Sequence, residues 1–312
     1  MKIEERLAAL NECYRDADSG SSGLDLAPLR KALGDRSNLM AARAAEIGTR
    51  LRCETIIPDL LTNFDRFLTK NPGKIIDKGC WAKNAMIKAL YELDHLDADF
   101  YRSLLGYQQR EPVWGTTEDT AMVVRETSAF GLAASNDPRS LVDLVPLLHD
   151  AEPSVRMAAI QAIGTLHSSG VEAVLRQKAI SGDPEPQVLD ECFRTLLHLE
   201  PDHSIPFVAE FLRHPSSIVI GEFAALALGE TRQPAALDVL LGEFEGVSPS
   251  ISSTVLIRAI GLARIEPAIE FLLNLLANDS GAEKVAARDA LAAYEHVSAV
   301  AERLAEIEAT PQ

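Results

Sequence analysis

The chain has 312 residues, 47% of them hydrophobic and only 5% aromatic, with a formal net charge of −16. No stretch approaches the roughly 18 consecutive apolar residues of a membrane span, and MKIEERLAALNECYRDADSG at the N-terminus has scattered charges and no apolar core, so a secretory signal is not expected. An acidic surface repels phosphate backbones and anionic lipid, which leaves another protein, with a basic or extended segment, as the expected partner.

The charge is uneven. Residues 1–118 hold 17 Lys and Arg against 18 Asp and Glu, whereas residues 119–312 hold 13 against 28. Such acidity also keeps an Ala- and Leu-rich chain soluble. Four well-separated cysteines, Cys13, Cys53, Cys80 and Cys192, without Cys-x-x-Cys, read as reduced small apolar residues of a cytoplasmic protein. Nothing alternates with period two over a useful length, so strands are not expected.

In chain order, helices over about 3–17 and 25–33 flank the turn from Asp18 to Gly23 and form an N-terminal cap over residues 1–34. A short apolar segment ending in Gly or a stand-in then recurs. It reads AEIG at Gly48, KALY at Tyr91, SAFG at Gly131, QAIG at Gly164, RTLL at Leu197, LALG at Gly229, RAIG at Gly261 and ALAA at Ala293. The steps are 43, 40, 33, 33, 32, 32 and 32 residues, the mark of a repeat architecture. Residues 35–118 make longer, irregular repeats, 119–295 regular ones of 32–33 residues, and 296–312 a charged cap with a helix over Val297–Ile307.

The unit Asp150–Asp183 shows the grammar. Pro153 stands in a first helical turn, where its missing N–H costs nothing. Helix A runs from about Val155 to His167, with Val155, Ala159, Ile160, Ile163 and Leu166 on one stripe. Ser168, Ser169 and Gly170 break it, and helix B follows over Val171–Ile180. Pro138, Pro184, Pro186, Pro215, Pro234, Pro249 and Pro267 fall near other inferred starts. The recurrent Gly or Ala lies inside helix A, where a missing side chain lets neighbouring helices approach closely, offsetting a propensity cost of about 1 kcal/mol for Gly.

DAEPSVRMAAIQAIGTL, a short second helix, then DPEPQVLDECFRTLLHL together resemble the HEAT repeat, in the short form named after phycobilisome lyase subunits. The resemblance spans about 119–295 and, more loosely, 24–118. It implies an all-α fold, an α-α superhelix: one right-handed, ARM/HEAT-like α-solenoid of seven or eight helical hairpins over 1–312. The Val-Arg pair survives fully only at Val155–Arg156, and Gly221 and Ser253 occupy the aligned Arg position, so an Asp–Arg ladder cannot run through the array.

Catalytic patterns are absent from the sequence: no Gly-x-Gly-x-x-Gly, Walker A, Gly-x-Ser-x-Gly, His-x₃-His or His-Glu-x-x-His occurs. HEAT-like deoxyhypusine hydroxylases carry His-Glu pairs; here only the reversed Glu295-His296 is found. HEAT-like DNA glycosylases have a basic cleft, unlike this acidic chain. His149 and His214 fall at equivalent helix B ends, where an imidazole meets the helix C-terminal dipole. The expectation is a non-catalytic scaffold or adaptor with no cofactor and no metal; the alternative is an accessory lyase or chaperone for a chromophore- or cofactor-bearing protein, as the family name implies.

Two surfaces are candidates. The long connection from Tyr107 to Asp119 carries Trp114, and by solenoid geometry Trp81, Trp114, Tyr107, Arg110, Lys74 and Lys78 share one edge, a composition suited to a hot spot. The competing reading has this loop folding back so that its Trp fills a gap. The second surface is the concave face of helices B, with Asp143, Glu172, Arg176, Phe207, Glu210, Arg213, Asp238, Glu243, Glu270 and Asn274. The stripe Arg66, Lys70, Lys74, Lys78, Lys83 and Lys88 reads as a solvated helix face, with anion or nucleic acid contact as the alternative.

Overall fold

A computed structural model describes residues 2–17, 24–68, 75–246, 251–294 and 296–309. The expected turn from Asp18 to Gly23 lies outside them, as do Lys70, Lys74, Pro249 and Glu295.

Helical periodicity and proline punctuation produce helices almost throughout, in two compact units, Met1–Val171 and Glu172–Gln312. The first contains α1 (Ile3–Cys13), α2 (Ala27–Leu33), α3 (Asn38–Arg50), α4 (Ile57–Phe67), α5 (Trp81–Glu92), α6 (Ala98–Leu104), β1 (Arg110–Val113), β2 (Thr116–Asp119), α7 (Met122–Ala134), α8 (Ser140–Leu144) and α9 (Pro153–Gly164). The second begins in α10 (Val171–Ser181) and continues through α11 (Pro186–Leu199), α12 (Pro201–Arg213), α13 (Ile218–Glu230), α14 (Pro234–Phe244), α15 (Ser253–Leu262), α16 (Glu266–Asn278), α17 (Ala282–Leu291) and α18 (Ser298–Ala309). The fold class is all-α, and within each unit successive hairpins stack in the manner of the α-α superhelix.

In the first unit α3, α5, α7 and α9 pack in sequence, with α4 against α5 and α6 against α7. In the second, α11, α13, α15 and α17 do the same, with α12, α14 and α16 each packed on the helix that follows. The stripe expected on α9 is buried at Val155, Ala159, Ile160 and Ile163. Signature glycines permit the close packing: a Cβ on Gly229 would overlap the backbone carbonyl of Ala259 on the next A helix.

Three expectations need correction. Helix A of the reference unit ends at Gly164, short of His167, with the Thr165 hydroxyl donating to the Ala162 carbonyl at 2.8 Å. α8 gives way to a 3₁₀ turn over Val145–His149, because Pro146 cannot donate to an α-helical ladder. A β-hairpin exists where no strand was expected, pairing Arg110 with Asp119 and Val113 with Thr116. Four residues per strand are too few for a period-two pattern to stand out, and the β-favouring residues come only as the two pairs Val113–Trp114 and Thr116–Thr117.

Candidate functional site

The hairpin is tied to the helices by buried charge. Asp77, fully buried, caps the start of α5: one oxygen accepts from the Ala82 N–H at 3.1 Å and Asn38 Nδ2 at 2.9 Å, the other from the Lys83 N–H at 3.0 Å. Lys83 Nζ lies 3.2 Å from the second oxygen and donates to the Phe67 carbonyl at 3.2 Å; neither charged side chain is exposed. Gln109 Nε2 donates to the Asp77 carbonyl and to Glu111 Oε1, each at 2.7 Å. That Glu111 oxygen also accepts from the Gly79 N–H at 2.7 Å and the Thr120 hydroxyl at 2.8 Å. Burial alone would raise the Glu111 pKa, but these hydrogen bonds and the Lys83 charge outweigh it and hold the carboxyl below its usual range.

A second group continues from the hairpin's end. Arg125, buried on α7, donates to both Asp150 oxygens at 2.9 and 3.0 Å, to Asp119 at 2.6 Å and to the Tyr107 carbonyl at 2.9 Å. Arg156 donates to the Asp150 carbonyl at 2.8 Å. Bidentate, charge-assisted bonds of this kind fix geometry as well as adding energy. A short Asp–Arg ladder therefore exists within the first unit. It is hidden in the sequence because Val124–Arg125 stands two residues out of register with the signature; no Arg occupies the aligned positions Gly221 and Ser253.

Cys80 belongs to the same knot, its Sγ 3.4 Å from the Thr120 hydroxyl, and burial pushes its thiol up to about 11; burial pushes the Cys192 thiol up to about 12. A thiol–disulfide reagent at about pH 8 should therefore label exposed Cys13 promptly but Cys80 and Cys192 only after unfolding. Prompt labelling of Cys80 would show that the knot is open in solution.

What the knot holds out is apolar. Trp114 and Gly115 form the two-residue turn, with φ of 35° and 90°, both left-handed as a type I′ turn requires. The Trp114 side chain is fully exposed. Trp81, the first residue of α5, is 60% exposed and its indole lies over Gly79, where a Cβ would meet it at 2.7 Å. Ile76 at 49% and Leu39 at 39% flank the same knot: Ile76 precedes Asp77, and Leu39 follows Asn38, whose amide bonds Asp77 and the Lys78 carbonyl. A groove of about 570 Å³ between α3 and α5 adjoins Trp81, with Glu46, Asn84 and Lys88 along it.

Lys78 and Arg110 are exposed near this edge, whereas Tyr107 is half-buried, its ring 5.9 Å from Lys83 Nζ and its carbonyl bound to Arg125. The loop does fold back, but Gln109 and Glu111 make the buried contacts while Trp114 points to solvent. The basic stripe is a solvated face only in part: among its described residues Lys78 and Lys88 are exposed, whereas the other two turn inward. Lys83 is buried, and Arg66 donates to the Leu33 and Asp35 carbonyls at 3.1 and 2.8 Å and lies over the Phe67 ring. Leu39 and Ile76 carried no signal in the sequence, since isolated apolar residues are ordinarily core.

The helix B candidates sit in two separate units. In the first, Asp143 accepts from Arg102 at 2.6 Å. In the second, Arg176 pairs with Glu172 at 2.8 Å, donates to the His203 carbonyl at 2.7 Å and lies 4.7 Å over the Phe207 ring, so these residues do come together. Glu210 pairs with Arg213 at 3.2 Å, Glu270 with Arg303, and Asp238 and Asn274 are exposed. Much of the acidity expected to receive a basic partner is thus met within the chain; Glu243 also has a partner.

Residues 113–180 match the family model for HEAT repeats. Over these residues the chain carries HEAT repeats. The chain is similar in structure to YibA of Escherichia coli (16% identity, 93% of this chain and 98% of that one, TM-score 0.48). It is also similar to phycocyanin lyase in the CpcE–CpcF complex of Nostoc sp. PCC7120 (14% identity, 88% and 96%, TM-score 0.43) and to human deoxyhypusine hydroxylase (16%, 84% and 90%, TM-score 0.32). At these values the likenesses bear on neither site nor activity. No curated protein sequence matches the chain. No helix among the described residues is long and apolar enough to cross a membrane.

Proposed function

We propose that this HEAT-repeat chain is a non-catalytic protein-binding scaffold whose docking element is the edge formed by Leu39, Ile76, Trp81 and Trp114. One observation carries the reading: a fully exposed Trp occupies a left-handed turn position, on a hairpin anchored by buried ionic groups. Type I′ turns favour Asn or Gly at that position. A large aromatic held rigidly in water is at a disadvantage in the isolated chain and at an advantage against a partner, where ordering has already been done.

The hairpin also suits an extended segment. The Thr120 N–H donates to the Gln109 carbonyl, so by alternation the backbone groups of Arg110, Pro112, Thr117 and Asp119 face outward. Pro112 has no N–H to offer along β1, which leaves β2 as the open edge for strand addition.

The test compares wild type with the double variant Trp81→Ala/Trp114→Asn in affinity capture from the cells that make the protein, with bound species identified by mass. The expected result is a partner held by wild type and weakened about 30-fold or more in the variant, as for a hot spot of at least about 2 kcal/mol. Helical circular dichroism and melting should not fall, because Asn suits the turn. Equal capture by both proteins, or a collapse of the variant's melting, refutes the reading.

A further inference from the structure

A second feature lies in the other unit, in residues 254–293. Between α15 and α17 runs a groove of about 900 Å³, larger than the one beside Trp81. It is floored where the helices come closest: a Cβ on Gly261 would stand 2.9 Å from the Ala290 methyl. Ala286 and Ala290 line it with Val285, which is 60% exposed, so the wall presents apolar surface to water.

Arg258 and Arg264 line the same groove. Neither makes an ion pair among the described residues, and nor does Arg232 outside the groove, whereas Arg176, Arg194, Arg213 and Arg303 of the same unit each meet a carboxylate. Asp289 is the carboxylate of the lining, so with the two arginines the groove has a formal charge of +1 in a markedly acidic half of the chain. Arg264 stands just beyond the end of α15 with φ of 52°, a left-handed position that glycine adopts with less strain.

From this combination we infer that the groove binds an amphipathic anion, a carboxylate head on an aliphatic body. The volume lies in the range of about 300–1,000 Å³ typical of small-molecule sites, which combine apolar walls with a few convergent polar groups. A guanidinium fork matches a carboxylate bidentately and is weakly hydrated, so it meets an anionic head beside apolar surface at less desolvation cost than an ammonium. The aliphatic body would cover Val285, Ala286 and Ala290.

The experiment is titration calorimetry of the full chain with dodecanoate and, as a control of the same chain length, dodecyltrimethylammonium, both below their micellar concentrations. Dodecanoate should bind saturably, one per chain, at least about tenfold more tightly than the cation, the ratio that one or two charge-assisted bonds supply. In Arg258→Gln/Arg264→Gly that preference should disappear while the melting temperature does not fall, since glycine relieves the left-handed position. Trp81→Ala/Trp114→Asn should leave dodecanoate binding unchanged, which separates this site from the docking edge. Equal binding of anion and cation, an undiminished preference in the arginine variant, or no saturable uptake overturns the inference.

Discussion

Lys83→Met should lower the stability of the first unit by about 3–5 kcal/mol, the usual loss when one partner of a buried ion pair is removed and the other charge remains. Asp77 would keep its carboxylate inside, fully buried, with the ammonium at 3.2 Å gone. Both tryptophans, Trp81 and Trp114, belong to this unit, so denaturant unfolding followed by tryptophan fluorescence reports on it. Adding Asp77→Asn should recover part of the loss, because it removes the uncompensated charge and the amide oxygen still accepts from the Ala82 N–H, while the Lys83 N–H loses the second oxygen that accepted it. A loss below about 1 kcal/mol for the single variant, or a double variant no better than the single, would mean that the pair is hydrated and the knot does not brace the hairpin. The consequence for the docking edge is direct. The same Asp77 segment accepts Gln109 and carries Gly79, which binds Glu111, so loosening it frees the hairpin that presents Trp114.

Gly229→Val should cost the second unit about 3 kcal/mol or more, the upper range for overpacking. The new Cβ meets backbone, the Ala259 carbonyl, and backbone within a packed helix cannot rotate aside as a side chain can. Gly242→Ala on α14 is the control: nothing stands within 4 Å of its Cβ, so the helix should gain about 0.5–1 kcal/mol. Melting followed by circular dichroism at 222 nm, a helix signal, separates the two. If Gly229→Val melts with wild type, the close approach of α13 and α15 does not exist in solution.

These variants show where the information for each feature resides. The repeat was legible because its determinants are local: the spacing of QAIG, LALG and RAIG, apolar residues at i and i+4, and prolines such as Pro153 and Pro234 at helix starts. The close packing at Gly229 was legible too, since a glycine within a helix has a propensity cost that a close contact offsets. Trp81 and Trp114 stood out as the only two tryptophans, and the structure leaves both exposed.

The brace was not legible. Lys83 and Asp77 look in sequence like any surface charges, and their burial arises only because Phe67, Asn38 and the hairpin close over them from 16, 39 and 32 residues away. Arg125 reaches Asp150 across 25 residues, and no local pattern encodes such a pairing. Nor does the sequence say which isolated apolar residues, such as Leu39 and Ile76, stay outside the core. The sequence by itself determined the helical repeat, because helix formation and its punctuation depend on residues within a turn or two of each other. The tertiary structure decided which charges are buried, where a hairpin interrupts the helices, and which apolar side chains face water. Those outcomes depend on what distant segments bring to the same place, where desolvation and charge pairing compete.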